Sequence, residues 1–145
     1  MGSLVETVKD PAKRKLVVDA GVRLIEAEVA DKGGLSGLAI KGAFKLVSGI
    51  KPGFVGGTLN HLLDDFSPKV DPFWAECQQK GEDPRGYFVR RGTDVSNALL
   101  SITDDRARNA RGPVRNTYDR LRPEAVKHVT AAMPRLADMV KTHAG

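Results

Sequence analysis

Residues 104–127, DDRARNARGPVRNTYDRLRPEAVK, form the most polar and most cationic part of the chain. Seven cations and four acids leave this stretch with a net charge of +3, out of +5 for the whole protein. Gly112-Pro113 lies in its middle and breaks a helix there, because glycine lowers helix propensity and proline has no N–H to donate. The stretch is therefore predicted to form a polar corner between two core helices.

Apolar residues on both sides of this corner recur at helical spacing. Val95, Leu99 and Ile102 precede it on one helix face. Pro123 is predicted to open a long C-terminal helix, or to kink it if residues 113–143 form one continuous helix, and Pro134 is predicted to bend it. Its apolar residues alternate three- and four-residue spacings, as in the seam of a packed helix; they are Val126, Val129, Met133, Leu136 and Val140.

The same periodicity predicts which residues of the corner point inward and where the preceding helix begins. Val114, Tyr118 and Leu121 fall on one face, so they are expected to pack against the core. Thr93 or Asp94 is expected to cap the helix before the corner, because short polar side chains accept hydrogen bonds from free N–H groups.

The N-terminal third carries helix signals as well. A short helix is expected over Leu4–Val8, followed by Asp10-Pro11, an N-cap with proline at the first helical position. The next helix is predicted to reach Asp31 and to end at Gly33-Gly34. Another helix is expected over residues 37–49.

The middle of the chain is divided by proline. One helix carries an amphipathic stripe of Val55, Leu59, Leu62 and Phe66. Ser67-Pro68 is predicted to end it, with Asp71-Pro72 starting the next helix. Residues 81–84 are predicted to be a loop, followed by a short helix that buries Tyr87 and Phe88.

Length and composition indicate one globular domain over residues 1–145. The chain is 41% hydrophobic and 28% charged, which argues against disorder. Without strand-like alternation, the prediction is an all-α, single-domain bundle of about six to seven helices with short Gly/Pro loops. No long apolar run suggests a signal sequence or a transmembrane segment, so a cytoplasmic location is expected.

The arginines of the corner are the first candidate site. Clustered guanidiniums bind phosphates and carboxylates, so they predict an anionic macromolecular partner, nucleic acid or acidic protein. The candidate residues are Arg108, Arg111, Arg115 and Arg122. The alternative is a structural role. These arginines would then pair with nearby acids such as Asp104, four residues before Arg108, or Arg and Asp side chains would satisfy the backbone groups left open around Gly112-Pro113.

Two further functions stay open. Lys41 and Lys45 share one helix face beside Phe44, which suggests contact with lipid headgroups or phosphate, against the alternative of a solvated helix edge. The apolar seam over residues 126–140 would also suit a structural homo-oligomer, whose oligomeric state the sequence leaves unknown.

Catalytic and metal-binding signatures are missing from the sequence. The three histidines have no His or Cys partner at metal-ligand spacing, and His61 is expected to be partly buried. Asp64 and Asp65 are expected to cap or terminate helices. Cys77, the single cysteine, is predicted to be a small core residue. Nucleotide-binding loops and nucleophile elbows are absent, so neither a cofactor nor an enzymatic activity is indicated.

Four phrases together resemble a known family. They are EVADKGGLSGLAIKGAFK (28–45), KPGFV (51–55), ALLSITDDRA (98–107) and YDRLRPEAVKHVTAAMPRLADMV (118–140). The chain is similar over nearly its whole length to small all-helical bacterial proteins of unknown function. This resemblance implies an all-helical fold and brings no catalytic residue, cofactor or partner with it.

Overall fold

A computed structural model describes residues 2–50 and 52–144, which contain eight α-helices and no strand. The helices are α1 (Leu4–Lys9), α2 (Pro11–Asp31), α3 (Gly34–Ser48), α4 (Phe54–Lys80), α5 (Pro84–Arg90), α6 (Gly92–Arg108), α7 (Gly112–Ala131) and α8 (Met133–Ala144). The predicted all-α fold is confirmed.

Local capping signals begin several helices where the sequence predicts them. The Asp10 carboxylate accepts hydrogen bonds from two N–H groups of the first turn of α2, at 2.9 and 3.3 Å, and Pro11 is the first helical residue. Asp83 caps α5 in the same way, with Pro84 next. Gly81 ends α4 with a φ of +64°, which glycine adopts without a steric penalty.

The predicted break at Pro68 and Pro72 is wrong, because α4 continues through both prolines over 27 residues. The two prolines are four residues apart, so they share one face of the helix, and that face is exposed. The residues whose carbonyl groups lose an N–H partner, Asp64 and Pro68, are both exposed. Val70 and Trp74, on the other side, are buried and anchor the helix in the core.

Asp71, predicted to start a helix, instead caps a different one. Its carboxylate accepts hydrogen bonds from the backbone N–H groups of Leu4 at 2.7 Å and Val5 at 2.9 Å. These donors are two of the N–H groups that the first turn of a helix leaves without a partner. The side chain thereby fastens α1 to the middle of α4.

The core is built from buried side chains of α1, α2, α4, α5, α6 and α8. Tyr87 and Phe88 of α5 are fully buried, as predicted, with ring centroids 5.6 Å apart in an edge-to-face arrangement. Met133 and Val140 from the predicted seam are also fully buried, and Cys77 is 1% exposed. The seam thus packs within the chain, where α8 lies against α5.

The predicted long C-terminal helix is divided in two. Pro123 lies inside α7, while α7 ends at Ala131 and α8 begins at Met133. Pro134 has no N–H for the carbonyl of Thr130, and the N–H of Ala132 turns back to the carbonyl of Val129 at 3.0 Å. The expected bend is therefore a complete break.

Two more local predictions are wrong. Val114 and Leu121 are 60% and 56% exposed, because the first half of α7 packs mainly against α6 and presents its other faces to solvent. Neither Thr93 nor Asp94 caps α6, which begins at Gly92 directly after α5. Asp94 instead pairs with Arg91 at 2.9 Å.

Candidate functional site

The α6–α7 corner is held together by one carboxylate. Arg122 donates two hydrogen bonds to Asp104, from Nε to Oδ1 and from Nη2 to Oδ2, both at 2.9 Å. Its Nη1 donates to Asn97 at 3.0 Å. The Tyr118 hydroxyl also donates to Asp104 and lies 2.8 Å from the Thr103 hydroxyl. This network joins the end of α6 to the middle of α7.

The charges of this network stabilise one another. The hydrogen bond from Arg122 lowers the pKa of Asp104, more than partial burial raises it. Burial raises the pKa of Tyr118, and donation to the Asp104 carboxylate raises it further. The same bond to Asp104 raises the pKa of Arg122. The Arg122 guanidinium is thus already bound bidentately within the chain.

The four arginines predicted to bind anions fall into two groups. Arg122 and Arg108 are held by acids: Arg108 pairs with Asp105, so the predicted pair with Asp104 is wrong, because Arg122 occupies that carboxylate. Arg111 and Arg115 are exposed and make no hydrogen bond or ion pair through their side chains with any residue that the structure describes. Both lie at the start of α7, where Arg111 is the N-cap residue and Arg115 belongs to the first turn.

Three polar residues of α4 differ from their predicted roles. Asp64 and Asp65 do not cap or terminate a helix but lie inside α4. Asp64 pairs with Arg14 of α2 at 2.9 Å, and the bond from Arg14 lowers its pKa. Asp65 pairs with Arg106 of α6 at 3.4 Å. His61 is exposed rather than partly buried.

The outward face of α3 is an unusual surface for a water-facing helix. Leu38 is 67% exposed and Leu46 is 77% exposed. Lys41 and Lys45 are also exposed and share the face of Leu38, which they follow by three and seven residues. Leu46 lies about 100° further round the helix, next to Lys45. The sequence from residue 32 to residue 63 contains no Asp or Glu, so no acid of this segment offsets the lysines.

Catalytic and metal-binding groupings were also sought among the described residues. Over 2–50 and 52–144, no three His, Cys, Asp or Glu side chains are placed to hold a metal ion. In the same part of the chain, every helix is too short or too polar to cross a bilayer. Cys77 is confirmed as a core residue, and burial raises the pKa of its thiol, which disfavours the reactive thiolate.

The sequence could not reveal the partners of Asp104, since Tyr118 and Arg122 lie 14 and 18 residues away. The Asp71 cap, which reaches 67 residues along the chain, was missed for the same reason. The sequence gives only a weak indication of the apolar surface of α3, because it shows an apolar helix with two lysines and no acid.

Comparisons with known proteins identify a family but no characterised relative. Neither the curated proteins nor the solved structures contain a match to the chain. The model of a family described as "Family of unknown function (DUF6918)" matches residues 4–144. The match begins at the first residue of α1 and ends at the last residue of α8. The resemblance read from the sequence is thereby confirmed, and the chain belongs to the DUF6918 family of unknown function.

Proposed function

We propose that this chain is a non-enzymatic helical module of the bacterial cytoplasm that binds anionic lipid surfaces through the outward face of α3. The observation that carries the proposal is the exposure of Leu38 and Leu46 beside Lys41 and Lys45. A helix with this pairing lies in the membrane interface, with its apolar side chains among the acyl chains and its lysines at the headgroups.

The expected affinity is modest. Burying a leucine side chain contributes about 1.5–3 kcal/mol, and α3 offers two leucines that are mostly exposed. A lysine close to an anionic surface adds about 1 kcal/mol. Two leucines and two lysines together contribute at most about 8 kcal/mol, and the cost of immobilising the protein is subtracted from this, so the dissociation constant should be weaker than about 1 μM.

Vesicle cosedimentation tests the proposal. The full chain is mixed with phosphatidylcholine vesicles that contain or lack phosphatidylserine, at low and moderate salt. Binding is expected only with phosphatidylserine, and Leu38→Ser/Leu46→Ser should weaken it about tenfold or more. Val114→Ser/Leu121→Ser is the matched control, because it removes two similarly exposed apolar side chains from α7.

Three results would contradict the lipid proposal. Equal binding to both kinds of vesicle would remove the role of the lysines. Equal binding by the α3 variant and the α7 control would remove the role of α3. If light scattering shows that the wild-type protein is a dimer and that the α3 variant is a monomer, this face would be assigned to contact with a second copy of the chain.

A second candidate function rests on Arg111 and Arg115. Their exposure, without an acidic partner among the described residues, supports contact with an anionic macromolecule, nucleic acid or acidic protein. Binding to duplex DNA, single-stranded RNA and polyglutamate is measured at about 50 and 200 mM salt. Arg111→Gln/Arg115→Gln should weaken it, whereas Arg120→Gln/Lys127→Gln, elsewhere on α7, should not. No binding at the lower salt concentration removes this candidate.

A homo-oligomer through residues 126–140 stays a prediction with less support. Met133 and Val140 are fully buried within one chain, so a second copy could not reach them without rearrangement. A monomeric mass in light scattering at high concentration would exclude it.

A further inference from the structure

A cavity of about 440 Å³ lies between α2, α3, α4, α6 and the α7–α8 junction. Its walls are mainly apolar, with Leu24, Phe66, Leu99 and Leu136 contributed by four different helices. The volume falls within the range of roughly 300–1,000 Å³ found for small-molecule sites. The cavity is separate from the outward face of α3, although Ile40 on the inward side of α3 contributes to one wall.

The polar side chains of the lining differ in whether they already have a partner. Among the described residues they are Glu28, Lys32, Thr103 and His128. The Thr103 hydroxyl lies 2.8 Å from the Tyr118 hydroxyl and donates to a backbone carbonyl group at 2.9 Å, so it is occupied. The charged residues Glu28 and Lys32 therefore decide which head group the cavity would accept.

The carboxylate of Glu28 is closed to a ligand. Its Oε2 accepts a hydrogen bond from Arg135 Nη1 at 3.0 Å, and Arg135 is held in turn by Asp31. Its Oε1 is shielded, so that no water-sized group reaches it. Glu28 is thus neutralised through one oxygen and inaccessible at the other, and it leaves the ligand no acid to bind.

The ammonium group of Lys32, in contrast, is both accessible and unpaired. The side chain is half-buried, makes no hydrogen bond or ion pair with any described residue, and is not among the shielded polar groups. Lys32 is the C-cap residue of α2, so it stands at the end of the wall that this helix contributes. The apolar stem of a lysine packs along apolar surface while the ammonium group stays in water, which suits the edge of such a cavity.

We propose that this cavity binds a single alkyl chain that ends in a carboxylate, with the chain between the apolar walls and the carboxylate at Lys32. The chain matches the walls, and the negative charge matches the one accessible charged group that lacks a partner among the described residues. His128, on the α7 wall, can donate a further N–H in either protonation state. This site is independent of lipid-surface binding through α3.

Three probes of equal chain length test the head group in NMR titrations of the full chain, which suit weak binding. They are octanoate, 1-octanol and octyltrimethylammonium. Octanoate is expected to bind about fivefold more tightly than 1-octanol, because a hydrogen bond between two charged groups is strong but partial exposure weakens it here. Octyltrimethylammonium should bind most weakly. Equal binding of all three probes would overturn the proposed role of the carboxylate.

Variants of Lys32 separate the head group from the chain. Lys32→Gln should weaken octanoate binding about fivefold and leave 1-octanol binding within about twofold. Lys32→Glu should reverse the order, so that octyltrimethylammonium binds more tightly than octanoate. Lys15→Gln, on the exposed face of α2 outside the cavity, is the matched control and should change neither. Unchanged octanoate binding by Lys32→Gln would overturn the role of Lys32.

Filling the cavity tests the place of the chain. Leu99→Trp should abolish the binding of octanoate, while Leu121→Trp, the same exchange on the exposed face of α7, should leave it unchanged. Circular dichroism checks that both variants fold, and Ile25→Phe replaces Leu99→Trp if that variant does not. The proposal is overturned if octanoate gives no saturable binding, or if filling the cavity does not affect it. Neither outcome bears on the binding of α3 to lipid vesicles.

Discussion

Replacing Asp104 with Asn tests whether one carboxylate holds α7 against α6. Asp104 accepts two hydrogen bonds from Arg122 and one from Tyr118. An amide can accept only through its oxygen, and its NH₂ group would face a guanidinium donor. Hydrogen bonds to charged groups contribute about 1.5–3 kcal/mol, and the partial exposure of the pair reduces this value. We expect Asp104→Asn to lower the free energy of unfolding by about 2 kcal/mol at pH 7.

The effect should depend on pH in one direction. The bond from Arg122 lowers the pKa of Asp104 in the folded protein, so the unfolded chain binds this proton more readily. The stabilisation is complete above the ordinary aspartate pKa of about 3.9 and is lost as the pH falls through the lower, folded pKa. The difference between the wild-type protein and Asp104→Asn should therefore be constant from pH 7 to pH 5 and shrink below about pH 4.

Urea unfolding followed by circular dichroism measures both quantities. Asp119→Asn is the matched control on α7, because Asp119 is exposed and its side chain has no hydrogen bond or ion pair with any described residue. The control should stay within about 0.5 kcal/mol of the wild type. The reasoning is refuted if Asp104→Asn also stays within about 0.5 kcal/mol of the wild type at pH 7. It is equally refuted if the destabilisation by Asp104→Asn grows as the pH is lowered.

Three further predictions concern stability and reactivity. Asp71→Ala should cost about 1–2 kcal/mol in urea unfolding, because two N–H groups at the start of α1 lose their acceptor; an unchanged midpoint would contradict this cap. Cys77 should react with a thiol reagent only as fast as the chain opens, and at the rate of a free thiol in denaturant; fast labelling of the native protein would show that the site is open. Gly92→Ala should destabilise by about 1–3 kcal/mol, because the added Cβ would lie 3.1 Å from a Thr130 methyl group. Gly57→Ala, with open space around it, should be neutral or stabilising by up to about 1 kcal/mol, and equal effects of the two changes would contradict this packing.

The candidate surfaces were only partly predictable. Lys41 and Lys45 were placed on one face by their four-residue spacing, which depends on helix geometry alone. That this face also exposes Leu38 and Leu46 depends on how α3 packs against α2 and α4. The cavity beside Glu28 had no sequence signal, because its walls come from distant parts of the chain.

The role of the arginines was likewise only partly predictable from the sequence. Their clustering was visible in the sequence, and a structural role in pairing with acids was one of the two alternatives. Spacing along a helix suggested that Asp104 pairs with Arg108, yet Arg122 takes that carboxylate from the neighbouring helix. An ion pair within one helix contributes about 0.2–0.5 kcal/mol. The pair between Asp104 and Arg122 should contribute more, because it is bidentate and partly buried and because Tyr118 donates a further hydrogen bond to Asp104.

The sequence by itself determined the fold class and most helix ends. Asp10-Pro11, Gly81 and Asp83-Pro84 act through contacts within a few residues, so their effect can be read locally. Only the tertiary structure decided that α4 continues through Pro68 and Pro72. The cost of the two missing hydrogen bonds is local, but the burial that offsets it is contributed by helices distant in the sequence.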